Sequence, residues 1–138
     1  MNTEQKGQLA CMKMDQRCLE KGLMFLVPGF ECRYDRVLVQ DGKFIRVQVK
    51  YCDHKKNGAY VVNLSSSRNG KVNKSGYSSD EVDALVVYIP ANDSIYMFPM
   101  LAFEGKTKFS IRFEPTKNGQ TEGVYMGQDY IWKCSSVG

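Results

Sequence analysis

The first 22 residues carry apolar side chains at helical spacing. Thr3 can cap the start of a helix over residues 4–22, and Gly22 stands where a helix end favours a positive φ. The apolar stripe runs through Leu9, Met12 and Leu19, with Cys11, Met14 and Cys18 beside it. This pattern predicts an amphipathic helix packed on a core, with Gln8 at the edge of the stripe.

The pattern then changes to strands. Residues 34–40 and 43–51 flank Asp41-Gly42, a dipeptide that favours a two-residue hairpin turn. Residues 23–27 read as a buried strand that stops at Pro28-Gly29, and residues 65–79 as a polar loop or arm. The further strands are expected at residues 60–64, 82–89 (a central strand), 95–98 and 109–113. The sequence therefore predicts a mixed α/β (α+β) domain.

The hairpin turn fixes a register. If Gln40 pairs with Lys43, Asp35 lies opposite Gln48, with Cβ atoms about 4.5–5.5 Å apart. Lys50 shares their face because strand side chains alternate with period two. The opposite, apolar face carries Leu38, Ile45, Val47 and Val49. The end of the hairpin away from the turn thus gathers a carboxylate, an amide and an ammonium group.

Such a cluster has two interpretations. A hard cation such as Mg²⁺ prefers oxygen ligands, and Asp35, the Gln48 amide and a backbone carbonyl near Val49 could supply them. Lys50 could then orient a water or stabilise charge on a phosphate. The alternative is an ordinary surface ion pair between Asp35 and Lys50, which would contribute little.

The charge of the chain is uneven. The net charge is +4, yet residues 1–79 carry 14 Lys and Arg against 7 Asp and Glu, whereas residues 80–138 carry 5 against 8. A basic half suits a polyanionic partner, although a solvated basic face without a partner has the same composition. The candidate contacts to such a partner lie between residues 52 and 79, and they are Lys55, Lys56, Ser66, Arg68, Asn69, Lys71, Asn73 and Lys74.

Length and composition exclude several classes of protein. A chain of 138 residues with 43% hydrophobic residues fits one domain, and it is neither collagen, coiled coil nor disordered. No apolar run reaches the roughly 20 residues of a membrane span, and the polar N-terminus is not a secretory signal. The five cysteines show no C-x-x-C spacing and there is one histidine, so we expect reduced thiols in a cytoplasmic protein rather than a zinc site.

Taken in order, these residues resemble a known family. The run Tyr34-Asp35 … Val47-Gln48-Val49-Lys50, preceded by a helix around Lys6-Gly7-Gln8, is similar to the PD-(D/E)xK nucleases. It is more similar still to their small branch containing the cyanobacterial group I intron-encoded homing endonuclease. Further matches lie at Arg33, residues 57–60, Gly76-Tyr77 and residues 80–83. The resemblance as a whole covers roughly residues 1–113.

The resemblance implies a restriction-endonuclease-like core, a mixed sheet with flanking helices, and Mg²⁺-dependent hydrolysis of double-stranded DNA. Asp35 matches the metal-binding aspartate and Lys50 the lysine of the family. Gln48 stands where the family usually has Asp or Glu, and Gln8 where it usually has a helix glutamate. We therefore expect an active enzyme to carry glutamate at position 8, and this sequence to be impaired there.

The resemblance also implies an assembly. One chain has one cutting centre while a duplex has two strands, so double-strand cleavage requires at least a symmetric dimer. The related intron endonuclease suggests a tetramer. We predict a nuclease core at residues 1–113, with a basic arm at residues 52–79, and a tail at residues 114–138. The aromatic tail residues Tyr125, Tyr130 and Trp132 form either an oligomer interface or part of the core of the same chain.

Two other functions share these features. A non-catalytic DNA-binding module on a decayed nuclease core would also have lost the carboxylates at positions 8 and 48. A Holliday junction resolvase would use the same fold but prefer branched DNA. A structural or purely protein-binding role leaves the Asp35–Lys50 cluster and the basic arm unexplained.

Overall fold

A computed structural model describes residues 1–64, 66–68, 71–73, 77–119 and 123–133. Helix α1 spans Thr3–Lys21, and two short 3₁₀ helices span Met100–Phe103 and Gly127–Asp129. The strands are β1 Met24–Leu26, β2 Arg36–Gln40, β3 Lys43–Tyr51, β4 Lys55–Lys56, β5 Ala59–Asn63, β6 Ser66–Arg68, β7 Lys71–Asn73, β8 Ala84–Ile89, β9 Ser94–Pro99, β10 Lys108–Arg112 and β11 Val124–Met126.

The described elements form three layers. The central layer is a five-stranded sheet in the order β1-β2-β3-β8-β9, mixed because β3 and β8 run parallel. Helix α1 packs on one face of this sheet. The other face meets a four-stranded sheet in the order β11-β10-β5-β4. The predicted mixed α+β fold is confirmed, with one difference: a second sheet stands where the resemblance implied helices.

Strand β8 holds the layers together. All six of its residues are buried, as expected of a central strand with both faces covered. Leu85, Val87 and Ile89 enter the core between the two sheets. Ala84, Val86 and Tyr88 enter the core beneath the helix. The prediction of a central strand at residues 82–89 is therefore confirmed, beginning two residues later.

The helix begins one residue earlier than predicted. Asn2, not Thr3, is the N-cap: its side chain accepts a hydrogen bond from the Gln5 backbone N–H, and the Gln5 side chain accepts one from the Asn2 backbone N–H, both at 2.9 Å. This capping box satisfies two otherwise unpartnered backbone donors. Gly22 adopts a left-handed conformation with φ 70°, as predicted for the helix end.

The apolar stripe of the helix was predicted wrongly. The residues that face the sheet are Ala10, Met14 and Cys18, each fully buried. Met12 and Leu19 remain 62% and 73% exposed. Met12 lies two residues from Met14, about 200° around the helix, so the two cannot share a face. The buried stripe, which includes an alanine, brings the helix close to the sheet.

The hairpin formed by β2 and β3 has the predicted turn and register. Gln40 pairs with Lys43, and the ladder continues to Arg36 opposite Val47. Asp41 and Gly42 have φ of 53° and 75°, a combination typical of the turn that an Asp-Gly dipeptide favours. The face bearing Leu38, Val47 and Val49 is buried under the helix, as predicted.

Strand β1 is an edge strand, not the buried strand predicted at residues 23–27. It pairs only with β2 among the described strands, and Met24 and Leu26 remain 63% and 46% exposed. Its Phe25 is the residue that packs toward the helix. The sequence pattern was misleading because an apolar run gives no indication of whether both faces are covered.

The C-terminal aromatic residues pack within the chain. Strand β11 pairs in parallel with β10, and Tyr125 and Tyr130 contact the core between the sheets. The Tyr130 ring stacks on Phe98 with a centroid distance of 4.6 Å. Trp132 packs against the core beneath the helix. This arrangement corresponds to the intrachain alternative, while the division into core and tail at residue 113 stays a prediction.

Part of the predicted arm is a short hairpin of β6 and β7, whose pairing places Ser66 opposite Asn73.

Cys18 and Cys52 are buried thiols, as expected for core residues, and Cys134 lies outside the described residues. Within the described ranges, no helix is both long and apolar enough to cross a membrane.

An ion pair fastens the crossover between the parallel strands β3 and β8. The Arg46 guanidinium donates to both carboxylate oxygens of Asp83, each at 3.0 Å, and the Arg46 backbone N–H donates to Asp83 at 2.9 Å. Arg46 also donates to the backbone carbonyls of Asp80 and Ser79. These hydrogen bonds lower the pKa of Asp83.

We predict that Asp83→Asn lowers the free energy of unfolding by about 1 kcal/mol at neutral pH, because a bidentate charged contact is lost. Since the folded-state pKa of Asp83 lies below its unfolded value, this stabilisation is present above about pH 4 and is lost on acidification below it. Urea denaturation at several pH values measures the difference. Asp41→Asn in the exposed hairpin turn is the control, and an equal effect of both variants would contradict the assignment.

Candidate active site

The backbone around Asp35 holds its carboxylate against β3. The Asp35 N–H donates to the Val47 carbonyl at 2.9 Å, and carboxylate Oδ2 accepts from the Val49 N–H at 2.8 Å. The strict register placed Asp35 opposite Gln48, but the ladder ends one pair earlier and the Asp35 backbone bonds to Val47 instead. The carboxylate nevertheless lies beside the predicted part of β3.

An ion pair between the helix and the hairpin secures this position. The Arg36 guanidinium donates to the two carboxylate oxygens of Asp15 on α1, at 2.8 and 3.0 Å. A third donor of the same guanidinium bonds to the Asp35 backbone carbonyl at 2.7 Å. Both side chains of the ion pair are largely buried, so Arg36 connects the helix to the backbone of Asp35.

One cavity of about 450 Å³ opens between the first turns of α1 and the end of the hairpin. Gln8, Asp35, Gln48 and Val49, the predicted catalytic and metal-binding positions other than Lys50, all line it. Glu4 and Cys11 also face this cavity. Three separate segments thus contribute to the cleft: α1 with Gln8, the segment before β2 with Asp35, and β3 with Gln48 and Val49. The hairpin register had grouped Asp35 with Gln48 but had not placed Gln8 beside them.

Lys50 lies two residues beyond Gln48 on β3. Its Nζ donates to the Tyr77 hydroxyl at 3.2 Å and lies 4.8 Å from the centroid of the same ring. Arg33 stacks on that ring at 4.2 Å and forms an ion pair with Glu81 at 3.0 Å. The ammonium group is thus held by a buried tyrosine between β3 and the segment that leads to β8.

The acid and the amine influence each other. Burial raises the pKa of Asp35, and the Val49 N–H and the positive charges of Lys50 and Arg36 oppose that shift. Burial lowers the pKa of Lys50, and the Asp35 carboxylate opposes this. A desolvated carboxylate beside a desolvated ammonium in a cleft is typical of a functional site.

The donor atoms of the cleft suit a hard cation. The Asp35 carboxylate, the Gln48 amide oxygen and the Val49 backbone carbonyl are oxygen donors, which Mg²⁺ and Ca²⁺ prefer. Burial destabilises the ionised form of Asp35, and a cation would relieve this cost. Among the described residues, no group of three His, Cys, Asp or Glu side chains converges on one point. The set fits a weakly held cation with several bound waters.

The predicted DNA contacts are only partly described. Lys55 and Lys56 form β4 and are exposed beside the turn at Asn57-Gly58. Ser66, Arg68, Lys71 and Asn73 lie on the β6–β7 hairpin, of which the structure describes the backbone. Asn69 and Lys74 lie outside the described residues. Their roles stay predictions.

The sequence reasoning missed two supporting contacts. Tyr77 lies 27 residues from Lys50, and no local pattern connects the two. The Asp15–Arg36 pair had a detectable signal, because Asp15 was on the same helix face as Gln8 while Arg36 followed the candidate aspartate. Opposite charges on two elements that are expected to pack indicate such a pair.

Comparison with known proteins identifies the family. A family model described as PD-(D/E)XK endonuclease matches residues 1–133. The chain belongs to the PD-(D/E)XK endonuclease family. The match extends past residue 113, where the resemblance in the sequence ended. A search of curated proteins finds no match.

A solved structure has the same fold. The bacterial homing endonuclease I-Ssp6803I superposes with a TM-score of 0.75 and 24% sequence identity, over 95% of this chain and 89% of that chain. The restriction-endonuclease-like fold that the resemblance implied is therefore confirmed. Membership of a PD-(D/E)XK endonuclease family makes this chain a nuclease.

We predict that Asp35→Asn raises the free energy of unfolding at neutral pH by roughly 0.5–1 kcal/mol, as expected when a site residue is removed. The reason is that the folded-state pKa of Asp35 lies above its unfolded value. Its charge therefore destabilises the fold above that pKa, and the difference between the two proteins shrinks as the pH falls through it.

Urea denaturation of Asp35→Asn measured in parallel with Asp83→Asn checks this result, since the two variants make the same chemical change. The expected effects have opposite signs. A loss of stability in both would show that Asp35 is an ordinary structural carboxylate.

Proposed function

We propose that this protein is a sequence-specific endonuclease that hydrolyses double-stranded DNA with a divalent cation, Mg²⁺ being the expected one. The observation that carries the proposal is the Asp35 carboxylate, held by the Val49 N–H in a cleft that Gln8 and Gln48 also line, with the charge of Lys50, on the same strand as Val49, acting on it. Phosphodiester hydrolysis requires positive charge at the non-bridging oxygens and a positioned water. This cleft can supply both.

Each residue has a distinct task in this proposal. Asp35, Gln48 and the Val49 carbonyl would hold the cation, which supplies Lewis acidity to the phosphate and an acidified water. Lys50, held by Tyr77, would neutralise charge that develops on the phosphate oxygens. The Asp15–Arg36 pair would keep Asp35 in place through its backbone carbonyl.

Gln8 is the residue that limits this chemistry. It lines the cleft from the second turn of α1, where the family usually carries a glutamate. An amide keeps the shape of the side chain but removes a negative charge, so the cation loses attraction. We propose that the glutamine at this position impairs the nuclease activity of this chain.

We predict that Gln8→Glu increases the rate of Mg²⁺-dependent cleavage by roughly 10–100-fold, because it returns a carboxylate to the cleft. A supercoiled plasmid library with randomised inserts serves as substrate, so the target need not be known, and sequencing of the cut ends gives the specificity. The matched control is Gln16→Glu, which makes the same change at an exposed position two turns along the helix.

Equal rates for Gln8→Glu and the parent would refute the role of position 8. Retained DNA binding without cleavage by Gln8→Glu would favour the non-catalytic DNA-binding module, the main alternative because no three His, Cys, Asp or Glu side chains converge among the described residues. Preferential cleavage of four-way junctions over linear duplex would instead identify a Holliday junction resolvase.

A role in intron homing is the finer part of the proposal. It is supported by the fold shared with a bacterial homing endonuclease and by the long basic segment after Lys50, which supplies phosphate and base contacts. The proposed location is the cytoplasm, where buried thiols such as Cys18 and Cys52 stay reduced.

Cleavage of both strands calls for a second copy of the chain, and one surface is suited to receive it. Met24, Val39 and Phe44 are neighbours across β1, β2 and β3, on the face of the sheet turned away from the helix. Met24 and Phe44 are 63% and 70% exposed, and Phe30 beyond β1 is 85% exposed. We propose that this apolar face, rather than the C-terminal tail, forms a homo-oligomer interface, in a dimer or a tetramer.

We predict that Phe44→Glu converts the oligomer to monomer, because a charge would be buried in an apolar interface. Sedimentation velocity at micromolar concentration measures the change. Leu101→Glu is the control, since Leu101 is 72% exposed beyond the opposite edge strand β9. A parent protein that is monomeric, or an oligomer that survives Phe44→Glu, would refute the interface.

A further inference from the structure

A second groove lies outside the catalytic cleft. It has a volume of about 920 Å³ and is formed by the turn between β4 and β5 on one side and the segment that follows β10 on the other. Among the described residues, three cations line it, Lys55, Arg112 and Lys117, together with one acid, Glu114. The groove is therefore positive and open to solvent-borne ligands.

The position of Arg112 is fixed by uncharged groups. Its Nη1 donates to the Asn57 carbonyl at 3.0 Å, and its Nε donates to the Glu114 backbone carbonyl at 3.1 Å. Arg33, Arg36 and Arg46 differ, because each faces a carboxylate. Within the described ranges, no carboxylate lies at ion-pair distance from Arg112. Its charge is held in place and no described carboxylate neutralises it, as a phosphate-binding guanidinium requires.

The turn is shaped to leave room for this guanidinium. Asn57 and Gly58 have φ of 52° and 79°, the conformation of a two-residue turn that favours Asn-Gly. A Cβ on Gly58 would lie 3.2 Å from Nη2 of Arg112. The glycine thus permits both the backbone conformation and the close approach of Arg112 to the turn.

Lys55 extends the positive surface toward the cleft. Its Nζ lies 5.4 Å from the centroid of the Tyr60 ring, which also lines the groove. The backbone before it is tied to the first turns of α1, because Lys6 forms an ion pair with Asp53 at 2.7 Å. Lys55 lies five positions after Lys50, so their Cα atoms lie at most about 18 Å apart. One DNA strand advances about 3.4 Å per nucleotide along the axis, so the two lysines are separated by at most about five nucleotides.

We infer that this groove binds a backbone phosphate of the DNA some nucleotides from the cleavage point, with Arg112 and Lys117 as its ligands. The inference rests on the proposed function, since it assigns a further contact to the same DNA. Phosphate contacts fix the position of the duplex without reading its sequence. The groove would set the register of the strand relative to Asp35 and Lys50.

The test is the salt dependence of binding to a duplex of random sequence without divalent metal. Phosphate contacts supply essentially all of such binding, so the natural target is not needed. The slope of log K against log salt is about −0.9 per contacted phosphate. We expect Arg112→Gln and Lys117→Gln each to make this slope shallower, by up to the roughly 0.9 units of the one phosphate that they share. Lys21→Gln, at the far end of the helix from Gln8, should leave the slope unchanged.

The outcomes distinguish a failure of the groove assignment from a failure of the proposed function. Slopes for Arg112→Gln and Lys117→Gln that equal the parent slope would overturn the groove assignment alone. A parent protein whose binding does not depend on salt would overturn the proposed function together with it. Lys117 is exposed and lies in a loop, so its variant keeps the test valid if Arg112→Gln loosens the turn, which a thermal melt would reveal.

Discussion

The candidate site depends on one hydrogen bond, from the Val49 backbone N–H to the Asp35 carboxylate at 2.8 Å. It holds a half-buried acid against the middle strand of a mixed sheet, at the point where the hairpin ladder ends. Without it, the carboxylate would turn toward water and lose its proximity to Lys50. The Asp-Gly turn, the hairpin register and the Asp15–Arg36 pair all serve to keep this contact in place.

The layered fold explains why such a site is possible. Helix α1 covers one face of the central sheet and the second sheet covers the other, so the middle of β3 is shielded from water. Charges placed there are desolvated and interact strongly.

Asp83 and Asp35 illustrate the two uses of a carboxylate. Asp83 is satisfied by Arg46 and stabilises the fold, whereas Asp35 keeps a cost of burial that a cation can relieve. A carboxylate that keeps such a cost of burial is consistent with function rather than stability.

The features predicted correctly from the sequence are those that a few neighbouring residues determine. The Asp41-Gly42 turn fixed the register of the hairpin, and Gly22 marked the helix end, because each requires an uncommon φ. The helix stripe was wrong because exposed Met12 and Leu19 resemble core residues in sequence. The exposure of β1 and the contact of Tyr77 with Lys50 depend on how elements distant in sequence pack against one another. No short stretch of sequence indicates that packing. The hairpin register grouped Asp35, Gln48 and Lys50 as site candidates and the family resemblance gave them roles, yet the supporting ion pairs emerged only from the packing.

The most direct test of this account is a ¹³C NMR titration of the Asp35 side-chain carboxyl, with and without Mg²⁺. It needs neither a known target nor an active enzyme. The account predicts a pKa above the ordinary aspartate value of about 3.9 without metal, because the group is desolvated. It predicts a lower pKa in saturating Mg²⁺, because the cation favours the ionised form. A carboxyl that titrates at its ordinary value and does not respond to Mg²⁺ would contradict a cation site in this cleft.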